Sequence, residues 1–247
     1  MSSYHNDEWT KNIYIKRMLE HMDSCDHRHL KREMLSYHND QSIKNKYVKR
    51  MRDHIAADEL VRGVCYVNGR GCAIGCTLNG YDHDQYPIEL GIPVWLGEVE
   101  EVIFENMSEE KSKKFPLEFL KSIKIGVDLE QIKSPFLIYI LELCLNALDR
   151  DEFLDHHKMV CDVIEALRSG NSDRIDIGEL GRMYRAHYGA VSDIIYIAFC
   201  AAKGQVKIAL IEYMDSRLYL VSKVHVNHIF RYDHYADKLL QLLKECK

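Results

Sequence analysis

Two cysteines four residues apart, Cys72 and Cys76, sit in a run of small residues, Gly69-Arg70-Gly71-Cys72-Ala73-Ile74-Gly75-Cys76. A cysteine reacts as its thiolate, which a helix N-terminus beside a cation stabilises. Arg70 and a helix opening at Gly71 would supply both to Cys72. Asp82-His83-Asp84 and Tyr86 follow directly. A histidine between carboxylates can act as a general base or as a metal ligand with an oriented ring. With Cys72 or Cys76 it would complete a Cys/His pair. One candidate centre results: Cys72, Cys76 and His83 as the chemical groups, with Arg70, Gly71, Asp82 and Tyr86 as binding residues. The competing reading is close packing, because Gly, Ala and Cys let a helix sit tightly against a neighbour. Asp82 to Asp84 would then be a polar loop with a capping aspartate. Packing is favoured, since spacing identifies no third catalytic partner. The glycines match neither G-x-x-x-x-G-K-[ST] nor a strand-led G-x-G-x-x-G, so they do not read as a phosphate cradle.

A weaker metal reading rests on His225, His228 and His234, with Asp233 and Asp237 nearby. Histidines three apart share a broad helix face, but no HExxH-like pattern accompanies them, and a polar helix face is the favoured account. His156 and His157 are adjacent, so on a helix they point to different faces. No metal and no cofactor is expected.

The elements that must position these groups begin with a duplication. Residues 3–22 match residues 36–55 at a shift of 33: Tyr4-His5-Asn6-Asp7 recurs as Tyr37-His38-Asn39-Asp40, Lys16-Arg17-Met18 as Lys49-Arg50-Met51, and His21 as His54. Two copies do not make a solenoid. Met34 aligns with Met1, so residues 1–33 read as a duplicated helical arm in front of a main domain over 34–247, with a possible sub-boundary near 169–176. Asp40 is placed to cap a helix whose Ile43, Tyr47, Met51 and Ile55 form one apolar stripe, with Gly63 as its stop. The basic stripes Lys11, Lys16, Arg17 and Lys44, Lys49, Arg50, interleaved with Tyr14 and Tyr47, could meet nucleic acid or an acidic partner. An ordinary solvated face is the favoured reading.

Asn68-Gly69 signals a turn. A hairpin across it is one reading; a loop through Gly71 leading into a short helix over 72–78 is preferred. Helices then dominate. Pro93 opens one with Trp95, Leu96, Val99, Val102, Ile103 and Met107 on its apolar face, and Ser108 caps the next turn. Pro116 opens a short helix through Ile123. Residues 136–148 are apolar nearly all round and read as a central buried helix. An amphipathic helix over 151–168 ends at Gly170, and helices follow over 178–188, 191–203, 206–216 and to the C-terminus. Residues 218–226 alternate like a strand but are assigned to helix. The fold class expected is all-α: a multi-helix globular domain with a duplicated N-terminal helical arm.

Composition bounds the function. The 247 residues are 47% hydrophobic and 29% charged, enough for a sizeable core, and only four are proline. A net charge of -5 argues against broad nucleic-acid binding. No signal peptide is read at the N-terminus, and the longest apolar run carries Glu142, so a cytoplasmic location and no membrane are expected. The eight cysteines include no CxxC pair and read as free thiols.

SYHND, GRGCAIGCTLNG (69–80), ELGIPVWLGEVEEVIFENM (89–107) and ADKLLQLL (236–243) together resemble a family of bacterial and phage hypothetical proteins with a GxGCAxGCT-like motif, then LGIP and an acidic helix ending in IFE. The resemblance covers roughly residues 34–247. It departs where residues 191–235 carry bulky Ile, Tyr and Phe instead of an alanine-rich helix. It implies a helical fold and a phage link, and transfers no mechanism. The function expected is a non-catalytic binding or regulatory protein acting through helix surfaces, for example as an inhibitor of a host protein. Its partner would be another protein, or a second copy met through the arm. The alternatives are a cysteine/histidine-dependent enzyme centred on residues 69–86 and, more weakly, a metal-binding protein using the C-terminal histidines.

Overall fold

In a computed structural model of the chain, the described residues are 34–147, 153–171, 175–186, 190–215 and 228–247. The helical expectation for residues 1–33 and the strand-or-helix question at 218–226 lie outside them. The fold is all-α.

The first helix, α1 (Gln41–Ala56), is capped as the sequence suggests: the Asp40 carboxylate accepts the Ser42 N–H at 2.7 Å. Tyr47 and Met51 are buried, Val48 and His54 join them, and Ile43 and Ile55 pack partly buried beside them. The helix stops well before Gly63. Asp58 takes the left-handed conformation (φ 54°) and the Glu59 N–H reaches back to the His54 carbonyl, closing the end without a glycine.

At the glycine-rich centre the stretch through Gly71 is the hairpin and not the preferred loop, while the short helix after it forms as expected. Strands β1 (Tyr66–Val67) and β2 (Arg70–Gly71) pair antiparallel, Tyr66 opposite Gly71 and Val67 opposite Arg70. Asn68 and Gly69 both have positive φ, which a two-residue hairpin turn of this hand requires. The short helix α2 (Ala73–Leu78) follows at once, with Cys72 as its N-cap. A single π-helical turn (Tyr86–Leu90) leads to α3 (Val94–Asn106).

Helix α3 is the hub of the N-terminal half, burying Leu96, Val99, Ile103 and Phe104. After α4 (Glu109–Ser112) and α5 (Phe115–Ser122), a 3-10 turn (Leu129–Ile132) enters α6 (Lys133–Ala147). Pro135 falls in its first turn, where a missing N–H is harmless. Helix α6 buries Phe136, Leu137, Ile140, Leu141 and Cys144, but it is not buried all round: Glu142 is exposed and pairs with Arg168 at 2.7 Å. Arg168 belongs to α7 (Leu154–Ser169), which ends at Gly170 in the left-handed conformation.

Helices α8 (Ile177–Ala186), α9 (Ala190–Ala202), α10 (Val206–Asp215) and α11 (His228–Glu245) complete the fold. Helix α9 packs on α7, α8 and α10, while α10 and α11 both reach α3, so residues Met34–Lys247 form one compact unit. No helix among the described residues is long and apolar enough to cross a membrane.

Candidate functional site

The glycine motif is built for close approach. A Cβ on Gly71 or Gly75 would fall well inside van der Waals distance of the Cys65 carbonyl oxygen. That carbonyl sits over the start of α2, and only residues without a side chain leave room for it.

Cys72 stands at a helix N-terminus, as the spacing suggests, but it is not activated. Its Sγ donates to the Cys65 carbonyl at 3.5 Å and accepts from the Gly75 N–H at 3.4 Å, and the residue is buried. Burial pushes the thiol up to about 12, and the carboxylates of Glu101 and Glu105 add to the rise against the Gly75 N–H. Arg70 is exposed, and its guanidinium donates to the Asp58 carbonyl at 3.4 Å. Cys76 is likewise buried, donating to the carbonyls of Gly71 at 3.3 Å and Glu59 at 3.8 Å, and burial pushes it up to about 11. At neutral pH both groups are thiols, which supports packing over the thiolate expected from Arg70 and the helix terminus.

The following loop separates into parts. Asp82 folds back on its own turn, accepting the Asp84 N–H at 3.0 Å and the Gln85 amide at 3.2 Å. His83 Nε2 lies 3.0 Å from Glu101, and the Tyr81 hydroxyl donates to the other oxygen of the same carboxylate at 2.6 Å. Burial alone would raise the Glu101 carboxyl, but the contacts with His83 and Tyr81 and the fields of His83 and Lys207 outweigh it and hold it below the usual range. Tyr86 is fully buried, and its hydroxyl donates to Glu100 at 2.8 Å. The structure thus gives His83 a carboxylate partner and takes Tyr86 into the core.

On α11, Asp233 turns inward to accept from the Ser108 N–H at 3.1 Å and its hydroxyl at 2.9 Å, while His234 is exposed. Ser108 therefore ties α11 to α4; its hydroxyl does not cap α4. His225 and the side chain of His228 lie outside the described residues. Among the described residues no group of three or more His, Cys, Asp or Glu side chains could hold a metal ion.

An open pocket lies on the exposed side of α1. It has a volume of about 540 Å³ and is lined by Lys46, Lys49, Arg50, Asp53, His54 and Ala57 of α1 and its end, with Glu59 and Asn79 opposite. His54 is the organised group there: Nδ1 faces the Glu59 carboxylate at 2.6 Å and Nε2 the Asn79 side-chain oxygen at 2.8 Å. Lys46 and Arg50 both lie over the Tyr47 ring, 4.7 Å and 5.1 Å from its centroid, and Arg50 donates to the Thr77 carbonyl at 2.7 Å. Tyr47 in turn donates to Glu89. Sequence reasoning took Lys49 and Arg50 for a solvated face and overlooked His54 as a site. The available signal was the duplication, which keeps Lys49, Arg50 and His54 as Lys16, Arg17 and His21.

No family model, curated protein or solved structure matches this chain.

Proposed function

We propose that this is a non-catalytic binding protein that engages a carboxylate-bearing segment of another protein at the α1 pocket. One observation carries this reading: the pocket's three cations, Lys46, Lys49 and Arg50, outnumber its two carboxylates, Asp53 and Glu59, around a histidine fixed from both sides. Two of those cations are stacked on Tyr47, which lowers the entropy lost when they meet a partner. Lys49 already pairs with Asp53 at 2.6 Å, both side chains being exposed, and an incoming carboxylate competes for it in water at little cost. The phage link implied by the sequence resemblance fits a small regulator of this kind.

The test is fluorescence anisotropy with a labelled glutamate-rich decapeptide at low salt, against the protein and its Lys46→Glu/Lys49→Glu variant. Binding that weakens at least tenfold in the variant and falls with salt supports the reading. Equal affinity for both proteins, or none for either, contradicts it.

A second reading, an enzyme at the glycine motif, is favoured by the His83–Glu101–Tyr81 contacts alone. It places His83 as a base oriented by Glu101. A small-molecule turnover lost in His83→Gln, with folding intact, would select it over binding.

A further inference from the structure

His54 is buried near the end of α1, and both of its ring nitrogens meet side chains from outside that helix. Nδ1 faces the Glu59 carboxylate at 2.6 Å, and Nε2 faces the side-chain oxygen of Asn79 at 2.8 Å. Asn79 ends α2 in the left-handed conformation (φ 55°), with its backbone N–H returned to the Gly75 carbonyl. Two residues earlier, the Thr77 carbonyl accepts from Arg50. The last turn of α2 therefore holds two nitrogen-bearing groups that line the α1 pocket, the Arg50 guanidinium and the Asn79 amide.

The hydrogen bonds of the ring depend on its charge. A neutral imidazole has one N–H and one lone pair, and an ionised carboxylate only accepts. Opposite Glu59, Nδ1 is the donor. In a neutral ring Nε2 then carries the lone pair and calls for a donor, which Asn79 supplies by turning its NH2 group inward. The pairing seen here, Nε2 with the Asn79 oxygen, needs a proton on both nitrogens. The charge of the ring thus selects which end of the Asn79 amide faces outward. A neutral ring leaves the oxygen outward, where it repels an anion. A charged ring leaves the NH2 outward, and that group has no protein partner among the described residues.

Around the ring, α1 presents Arg50 and Asp53, with Lys46 and Lys49 further along the pocket wall. The turn after α1 presents Glu59, and β1 presents the Tyr66 ring edge-on at 6.2 Å. From α2 come Asn79 and the Cys76 thiol, which bonds to the Glu59 carbonyl. Of these groups only Glu59 brings a charge into hydrogen-bond contact with the ring.

Building on the α1 pocket as a carboxylate site, we propose that Asn79 reads the ligand carboxylate and that protonated His54 holds Asn79 in the reading orientation, so that the pocket takes up a carboxylate and a proton together. The coupling is reciprocal: a proton on His54 tightens carboxylate binding, and a bound carboxylate draws a proton onto His54 by the same factor. Affinity therefore falls as pH rises. A glutamine side chain offers both a donor and an acceptor, fits either orientation of Asn79, and gains nothing from the proton. Asn79 and His54 together make the pocket select an acid over its amide.

The test uses the full chain and the glutamate-rich decapeptide, with its glutamine counterpart as the comparison. Anisotropy at one salt concentration should show binding about fivefold tighter at pH 6 than at pH 8. Titration calorimetry at pH 7.5, in two buffers of different ionisation enthalpy, should show net proton uptake. His54→Gln should abolish both effects. Asn79→Gly keeps the left-handed turn without strain, and should weaken the glutamate peptide while leaving the glutamine peptide unchanged. Equal affinity at the two pH values without proton uptake overturns the proposal and leaves the pocket as a plain electrostatic carboxylate site. Uptake that survives in a folded His54→Gln overturns it too, by assigning the proton to another group. If His54→Gln does not fold, Asn79→Gly decides: unchanged preference for glutamate over glutamine overturns the proposal. No binding of either peptide at either pH removes the carboxylate site itself, and this proposal with it.

Discussion

The Tyr86 hydroxyl donates to Glu100 at 2.8 Å in a place where neither side chain meets solvent. The other carboxyl oxygen, Oε1, has no hydrogen-bond partner among the described residues. Burial pushes the Glu100 carboxyl up to about 8, against the bond from Tyr86 and with a small contribution from Glu101. An acid whose folded pKa lies above its unfolded one binds more protons folded than unfolded, so stability falls as pH rises between the two values. The window runs from 4.5, the ordinary value, to about 8. Within it the slope from this one group is about -1.4 kcal/mol per pH unit. Glu100→Gln should remove that descent, so the wild-type and variant stabilities should diverge between pH 5 and pH 8 in urea titrations. Parallel curves would show that Glu100 ionises freely.

The approach of the Cys65 carbonyl to α2 makes a second prediction. Gly75→Ala should cost about 1–3 kcal/mol or more, because the methyl meets rigid backbone and no flexible side chain can yield. Gly80→Ala, where nothing lies within reach of a Cβ, serves as the control and should change stability far less. Equal thermal shifts for the two would argue against the packing account.

The helical class was legible because its signals are local. Asp40 as a cap, Pro116 in a first turn and Gly170 as a stop each act within one turn of chain, and each stands where the sequence places it. The end of α1 was misread because Asp58 took the left-handed role reserved for glycine. The chemistry of Cys72 was misread for a different reason. A helix N-terminus and a nearby arginine can be read from spacing, but the burial that dominates the thiol comes from tertiary packing, with α1 and α3 both against α2. The pocket at His54 needed Glu59 and Asn79, and no periodicity links Asn79 to α1.

Thiol reactivity should therefore divide sharply. With limiting iodoacetamide at pH 7.5, exposed Cys65 should be labelled first among the described cysteines, and Cys72, Cys76, Cys144 and Cys200 should be protected until the protein unfolds. Mass spectrometry of the modified peptides reads this directly. Rapid selective labelling of Cys72 or Cys76 would return the glycine motif to chemistry.

Asp233→Ala should strip the Ser108 N–H and hydroxyl of their acceptor and loosen α11 from α4. Leaving partly buried donors unsatisfied costs about 1–3 kcal/mol. Guanidinium denaturation should show the loss, and Asp233→Asn should recover part of it. No change in midpoint would mean that water replaces the carboxylate freely.

The central claim is that the basic face of α1 is the binding surface, and backbone NMR tests it most directly. Titrating the labelled full chain with a glutamate-rich peptide should shift the amides of 46–59 and of Asn79, saturably and to a smaller extent at high salt. Shifts centred instead on 81–86 and Glu101, or none anywhere on α1, would contradict it.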